Sequence, residues 1–420
     1  MSSLNNPLLL STYPCDLRKA YSHAKSIDEL IILSLNPNTP SDVLEKIIER
    51  DCEASKYALT NPSLSKEAMI RYAREGEHRV IFNPSADEDV LETVFHCAPL
   101  YRCEILNRPI LTPRILCLFT RHPRADLRIE AVLHPSANAE VLWAFAEDPS
   151  AEVRATVARR AAELGITELE EYILSLPEEL WAKKEVLAHT NNVELIREYA
   201  ERIRHSDGDS GLRIAIASNP NTPPEILSGL VDEDFCGIRA RVAEHPSTPP
   251  ETLSRLAGDE NEEVRAAVAS NPNTPEETLD WLWANRTPRI NLGLAMNAKL
   301  PQPRLELLLA LAEEYLDVEL LLSLASNPSL SSEQLRRVLD AAFKARKEVR
   351  EELKEYDAYM SYGGIPGWYT DVMGLTEFIF EVILNHPNVT KEMVEEIAAT
   401  GILEIEKAAQ KRLKEMESVR

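Results

Sequence analysis

The sequence predicts an all-α solenoid, a stack of helical repeats of about 26 residues each. Three consecutive segments carry the same pattern and align on an Asn-Pro or His-Pro pair, with Pro220, Pro246 and Pro272 spaced 26 residues apart. A fixed period in this range is typical of solenoids, in which each unit buries its apolar face against its neighbours. The period is too short for the HEAT and tetratricopeptide repeats.

Each unit is predicted to hold two short helices. In EEVRAAVAS, the apolar residues Val264, Ala267 and Val268 lie at i, i+3 and i+4 and indicate a helix with one buried face. Asn271-Pro272 then ends this helix, because a residue before proline is driven out of the α conformation. We expect the second helix to begin at a capping box, a Thr or Ser with an acidic residue or Gln three positions later. The predicted pairs are Thr39/Asp42, Thr222/Glu225, Thr248/Glu251, Thr274/Glu277 and Ser331/Gln334.

The pattern V-R-x-x-V-A-x-N-P-x-T-P-x-x-x-L-x-x-L resembles the variant leucine-rich repeat (LRV) family, most closely from Leu212 to Leu282. The resemblance implies short α-helices alternating with α- or 3₁₀-helices, stacked into a right-handed, HEAT-like superhelix without a β-sheet. The family prototype also carries an iron–sulfur cluster on an N-terminal cysteine-rich segment. Here the N-terminal part offers only Cys15 and Cys52, so the resemblance implies the fold and not the cluster.

The repeat markers divide the chain into four parts. Residues 1–34 lack the pattern and predict an N-terminal cap, while residues 35–343 predict the repeats, with degenerate units from 151 to 200. Residues 344–375 contain the end of a long charged helix, predicted from Ser332 to about Tyr356, and then an insertion. Residues 376–420 predict the last repeat and a C-terminal cap.

The composition limits the class of function. The chain has 420 residues and a formal net charge of −23, which disfavours sequence-independent binding to nucleic acids or anionic membranes. The leucine-rich stretch Leu305–Leu324 contains five acidic residues, so it predicts a pair of buried solenoid helices rather than a membrane span. Six cysteines without paired spacing, and no signal sequence, indicate a reduced, cytoplasmic location.

The insertion, Ala358–Gly374, is the first candidate binding site. It holds four of the 13 glycines of the chain and the aromatic residues Tyr359, Tyr362, Trp368 and Tyr369. Irregular insertions on a regular scaffold are frequent binding sites, so these aromatics are candidates for contact with a protein or peptide. The alternative is that they fold back and cover the end of the core, because exposed aromatics are costly without a partner.

A basic row is the second candidate. A basic residue recurs seven positions before the proline of the Asn/His-Pro pair, at Arg102, Arg128, Arg154, Lys183, Arg213, Arg239 and Arg265. The functional interpretation is a clamp for an acidic peptide or phosphates, with Arg102, Arg128, Arg213, Arg239 and Arg265 as partner-binding residues. The favoured interpretation is structural pairing with Asp148, Asp207 and Asp259, each six residues before an Arg of the row. Arg128 and Arg239 lack an aspartate at that offset and are expected to be free.

Histidine, cysteine and tryptophan are expected to be mostly structural. Five histidines lie in or near the position of the Asn before proline, where a ring nitrogen replaces the amide as a capping group; they are His122, His134, His189, His245 and His386. Cys103, Cys117, Trp143 and Trp181 are expected in the core, and one of Trp281 and Trp283 at the surface.

The sequence contains none of the nucleophile or phosphate-loop motifs that announce an enzyme. It therefore predicts a non-catalytic protein–protein interaction scaffold without metal or cofactor, whose partner is a protein or peptide. One alternative is a nucleic-acid-associated protein similar to HEAT-like binders, which a free arginine row would favour. The other is a redox protein with a metal or iron–sulfur cluster on Cys97–Cys117.

Overall fold

The computed structural model describes residues 10–50, 52–177, 180–204, 210–357 and 367–418, with side chains left out for 353–369. Across these ranges the regular elements are helices, and no strand occurs. The chain divides into two compact units, Met1–His189 and Thr190–Arg420. This architecture confirms the predicted all-α helical-repeat solenoid.

The first unit is built from thirteen described α-helices and three 3₁₀-helices, His78–Phe82, Pro99–Tyr101 and Leu118–Arg121. The α-helices are α1 Pro14–His23, α2 Ile27–Leu35, α3 Ser41–Ile48, α4 Glu53–Leu59, α5 Lys66–Arg74, α6 Glu88–Cys97, α7 Arg102–Leu106, α8 Pro113–Cys117, α9 Ala125–Leu133, α10 Ala139–Phe145, α11 Ala151–Leu164, α12 Thr167–Ser175 and α13 Leu180–His189. The weakly patterned segment after residue 150 thus continues as helices.

The second unit contains the most regular repeats. Its α-helices are α14 Val193–Ile203, α15 Ser210–Ser218, α16 Pro224–Gly229, α17 Cys236–Glu244, α18 Pro250–Leu256, α19 Glu262–Ser270, α20 Glu276–Ala284, α21 Pro288–Met296, α22 Gln302–Tyr315, α23 Val318–Ala325, α24 Ser332–Asp357, α25 Gly367–Asn385, α26 Lys391–Ala398 and α27 Leu403–Ser418. α15, α17, α19, α21, α23 and α25 pack each against the next and are the first helices of successive repeats. The predicted helix pair of the central unit is α19 and α20, and the predicted long charged helix is α24.

The Asn of each Asn-Pro pair ties its repeat to the preceding one; we call this position the Asn/His slot. Asn271 Nδ2 donates to the carbonyls of Ala243 and His245 at 2.7 and 2.9 Å, and its Oδ1 accepts the backbone N–H of Asn273. Asn61 makes the same contacts in the first unit, to Ser34 and Asn36. The slot side chains thereby satisfy carbonyls that the helix ends leave without an intrahelical partner.

Histidine serves in the same slot, as predicted, at three of the five positions. His245 Nε2 lies 2.8 Å from the carbonyl oxygen of Asn219, and its Nδ1 accepts the N–H of Ser247. His134 and His386 make equivalent contacts. His122 Nδ1 accepts the N–H of Arg124, as in the slot, but no contact of its Nε2 with an earlier repeat is seen among the described residues; His189 Nδ1 lies 2.9 Å from the Glu185 carbonyl oxygen of its own helix.

The threonine capping boxes were predicted wrongly. α20 begins at Glu276 with Pro275 as its cap, and the buried Thr274 hydroxyl instead donates to the Val268 carbonyl at 2.6 Å. Thr39, Thr222 and Thr248 do the same with carbonyls six residues earlier. Proline after the threonine moves the helix start one residue further, so the hydroxyl satisfies the end of the preceding helix. The Ser331/Gln334 box, without proline, is confirmed in both directions.

Several residues expected in the core lie at the surface. Trp143 and Trp181 are 42% and 67% exposed; Trp143 packs on the Tyr172 ring and Trp181 beneath the Lys184 ammonium. Cys103 is exposed and Cys117 is half-buried, with burial raising the pKa of its thiol. The Leu305–Leu324 stretch does form two solenoid helices, α22 and α23, but α22 is buried on one face only.

Candidate functional site

The basic row lies beside the loops that join consecutive repeats. Arg239 Nη1 donates to the Glu233 carbonyl at 2.7 Å, and Arg265 Nη1 donates to the Asp259 carbonyl at 2.7 Å. Arg128 and Arg154 each reach the carbonyl six residues earlier in the same way. Each of these guanidinium groups thus closes the turn before its own helix.

The sequence predicted Arg128 and Arg239 to be free, but each binds an aspartate side chain as well as a backbone carbonyl. Arg239 Nε and Nη2 bond both oxygens of Asp259 at 2.7 and 2.9 Å, and Arg128 bonds Asp148 at 2.8 and 3.0 Å. The acidic partner follows the arginine by 20 residues, in the turn before the next first helix, and does not precede it by six. Both pairs are more than nine-tenths buried, so bidentate geometry compensates for desolvation.

These contacts set the charge states of the pairs. The carboxylate of Asp148 raises the pKa of Arg128 through hydrogen bonds, and that of Asp259 raises the pKa of Arg239. Burial by itself would raise the pKa of Asp259, but the hydrogen bonds from Arg239 and the N–H of Asn261 outweigh it and hold that pKa below its usual value. Arg239 and Asp259 therefore both remain charged near neutral pH.

Arg213 follows the same spacing with a glutamate, whereas Arg102 and Arg265 have no acidic partner at that position. Arg213 lies 3.3 Å from the Glu233 carboxylate. Arg102 donates through Nε to the Phe95 carbonyl at 2.7 Å and lies over the Phe95 ring. Arg265 is half-buried and bonds two backbone carbonyls, with an asparagine, Asn285, at the position 20 residues later. The row is thus an internal series of contacts rather than a set of side chains that face one ligand.

The aromatic insertion contributes little to the described surface. Tyr359 and Tyr362 lie outside the described residues, and so does most of the Ala358–Gly374 segment. Trp368 and Tyr369 fall in the first turn of α25, but their side chains are outside the description. The choice between a binding loop and a cover for the core therefore remains a prediction.

A groove that sequence reasoning missed runs across the first helices α17, α19 and α21. Its volume is about 360 Å³. It is lined by Gly237, Ala240, Arg241, Glu244, Glu263, Ala266, Ala267, Ser270, Arg289, Leu292, Gly293 and Met296. The sequence signal that could have indicated it is the run of small residues, Ala266, Ala267 and Gly293, in these helices.

The buried part of the lining consists of small residues. Ala267 and Gly293 are buried, and Ala266 is half-buried. A Cβ atom at Gly293 would lie 2.2 Å from the Ala266 carbonyl oxygen and 3.0 Å from Ala269 Cβ. Glycine at this position therefore permits α19 and α21 to approach closely, and small residues form the floor of the groove.

The rim of the groove carries balanced charges. Arg289 lies 3.8 Å from Glu263 on the neighbouring helix, and Arg241 lies 2.7 Å from Glu244 on its own helix. All four side chains are largely exposed, and such ion pairs contribute only about 0–1 kcal/mol each. They can therefore exchange for contacts with a ligand at small cost.

The same face continues at the next pair of first helices. α23 and α25 line a second groove of about 420 Å³ that includes Ser326, Val382 and Asn385. Ser270, Met296, Ser326 and Asn385 each directly precede a slot residue, so both grooves lie on equivalent surfaces of the repeats.

The described residues show no group of three or more His, Cys, Asp or Glu side chains that could hold a metal ion. Cys97 and Cys103 are exposed free thiols, and Cys117 is a half-buried one. None of the described helices is both long and apolar enough to span a membrane.

Residues 238–298, which contain most of the first groove, match the family model of the Leucine Rich Repeat Variant domain. The match agrees with the resemblance drawn from the repeat pattern and covers α18, α19, α20 and α21 completely. No curated protein matches the chain.

Proposed function

We propose that this chain, which carries a Leucine Rich Repeat Variant domain at residues 238–298, is a non-catalytic scaffold that binds a segment of a partner protein. The observation that carries the proposal is the groove across α17, α19 and α21, with its floor of small side chains and its rim of exchangeable ion pairs. An extended peptide suits this shape, because its main chain can approach the floor while its side chains meet the charged rim.

Other features support a cytoplasmic protein-binding role. Six free cysteines suit a reducing compartment, and a net charge of −23 favours protein partners over nucleic acid. The pairing of Arg128 and Arg239 with aspartates weakens the nucleic-acid alternative, which depends on a free arginine row. Of that row, Arg102 and Arg265 are the candidates we retain for contact with a partner.

The Ala358–Gly374 insertion is a second candidate site for the same function. It follows α24, which has 26 residues, and its last part belongs to α25, which has 19, whereas α19 has nine. Tyr359, Tyr362, Trp368 and Tyr369 would supply the contact area there, since aromatic residues are enriched at interaction sites.

Selection of linear peptides from a random displayed library on the full chain tests the proposal. We expect enriched peptides to bind the wild type and an Ala408→Gln control, which alters an exposed alanine of α27, with equal affinity. Ala266→Gln, which fills the groove floor, should weaken them by about tenfold. Peptides that lose affinity only when residues 361–370 are deleted would move the site to the insertion. Failure to enrich any peptide would contradict the scaffold function.

A further inference from the structure

α22 carries an exposed apolar stripe on the side away from the core. Leu305, Leu308, Leu309 and Ala312 are buried, as in the other helices of the stack. Leu307, Leu311 and Tyr315 are 61%, 37% and 69% exposed. Their spacing of four residues places them along one face of the helix. Large apolar side chains in such a row are an unusual feature of a free surface.

Part of the stripe lies beyond the end of the preceding second helix, α20. α22 has 14 residues and α20 has nine. In the 26-residue alignment Ala284, the last residue of α20, corresponds to Ala310, so Leu311–Tyr315 has no counterpart in α20. This extension is about 7.5 Å long at the usual helical rise. α20 is therefore too short to cover Leu311 and Tyr315.

An exposed tryptophan lies at the equivalent position of the preceding second helix. Trp281 occupies in α20 the position that Leu307 occupies in α22, and it is 46% exposed. Arg304 of α22 bonds Asp280 of α20 at 2.6 Å and lies over the ring of Trp283, also in α20. These two contacts join the helices. We call Trp281, Leu307, Leu311 and Tyr315 the outer patch.

Acidic side chains frame the outer patch. The arginines of the adjoining helices are already paired: Arg304 with Asp280, Arg255 with Asp232, and Arg337 with Glu306 and Glu313. Glu314 lies within the stripe, and Glu277 lies one turn before Trp281. Both are exposed and make no ion pair with the described side chains. Arg286, just after α20, is exposed and lies over the Trp283 ring, where it donates to the Trp283 carbonyl. The two glutamates outnumber this one cation, so the unbalanced charge around the patch is net negative.

We propose that the outer patch binds an amphipathic helix of another protein, one with leucine-like side chains on one face and Lys or Arg beside them. A helical stripe with this spacing complements the ridges of a second helix, and a basic flank would find Glu277 and Glu314 without partners. A second copy of the chain fits less well, because the acidic side chains around its own patch would repel those of the first. The surface is separate from the groove of α17, α19 and α21, so this inference does not depend on the proposed function.

Binding of a labelled synthetic peptide to the full chain, followed by fluorescence anisotropy, tests this inference. The probe is a peptide of about 18 residues, five turns of helix, with Leu and Ala on one face and Lys on the other. We expect Leu307→Ser/Leu311→Ser to weaken it by about tenfold or more. Leu403→Ser removes an equally exposed leucine from α27 and should leave the affinity unchanged. Glu277→Gln/Glu314→Gln should weaken binding a few-fold and reduce its dependence on salt.

Two comparisons can overturn the inference, one of peptide binding and one of self-association. Equal binding of a scrambled peptide of the same composition would mean that charge alone attracts the probe, and unchanged binding by Leu307→Ser/Leu311→Ser would mean that it binds elsewhere. Sedimentation velocity provides the second comparison. A dimer of the wild type that the same double substitution abolishes would make a second copy of the chain the occupant and overturn the proposal of a basic helical partner.

Discussion

Arg239 holds both carboxylate oxygens of Asp259, which follows it by 20 residues, at 2.7 and 2.9 Å. The pair joins the first helix of one repeat to the turn that precedes the first helix of the next. Asp259 also caps that turn, because its Oδ1 accepts the N–H of Asn261 and its carbonyl accepts Arg265. The buried pair thus links α17 to the turn before α19 and, through Arg265, to α19 itself. We expect it to contribute to the stability of the second unit.

Asp259→Ala should destabilise the protein by about 3 kcal/mol, because it leaves the buried Arg239 guanidinium without its counter-ion. Urea unfolding followed by circular dichroism measures the change. Arg255→Ala breaks the ion pair with Asp232, in which both side chains are more than half exposed. That control should cost less than about 1 kcal/mol. Equal losses in the two variants would contradict a special role for the buried pair.

Protonation of His122 should lower the stability of the folded protein below neutral pH. Burial lowers the pKa of this ring, and the nearby cations Arg102 and Arg124 act in the same direction. A lowered pKa in the folded state means that the unfolded chain binds the proton more readily. The contribution of the neutral ring is therefore complete above about pH 6.5, its usual pKa, and is lost as the pH falls through the folded pKa.

His122→Asn keeps an acceptor for the N–H of Arg124 without a titrating ring. Thermal unfolding of wild type and variant between pH 7.5 and 5.5 should show a steeper fall in Tm for the wild type. Asp126, the other charged group near the ring, is unchanged in both proteins. Parallel curves would show that His122 does not contribute to the pH dependence.

The repeat period was enough to predict the helices, the turns and the slot. Asn271-Pro272 and His245-Pro246 mark helix ends in the sequence, and the structure places their side chains in the same contact. The acidic partner of each arginine was harder to predict. Asp259 lies six residues before Arg265, so the sequence favoured that local pair. The chosen partner, Arg239, depends on how the turns are stacked. Leu311 was assigned to the core because periodicity cannot show that the adjacent helix ends early.

The slot should accept histidine but not an acid. Asn271→His should cost less than about 1 kcal/mol, since His245 in the preceding repeat makes two of the three contacts that Asn271 makes. Asn271→Asp has nearly the same shape but presents oxygen to the carbonyls of Ala243 and His245, and it should cost about 3 kcal/mol. The free energy of unfolding of both variants is measured at pH 7.5. Similar losses would mean that the shape of the slot residue, and not its donated hydrogen bonds, joins the repeats.

The close approach of α19 and α21 should depend on one glycine. Gly293→Ala places a methyl group 2.2 Å from the Ala266 carbonyl oxygen, so the helices must separate, at a cost of about 1–3 kcal/mol. Gly374→Ala is the matched control, because Gly374 also lies in a helix, α25, and a methyl group there meets nothing within 4 Å. Alanine should raise stability at that position by about 0.5–1 kcal/mol, since it restricts the unfolded chain and favours the helix. Opposite signs in thermal unfolding would attribute the loss at Gly293 to helix contact. A gain at both positions would show that the groove floor can relax around a side chain.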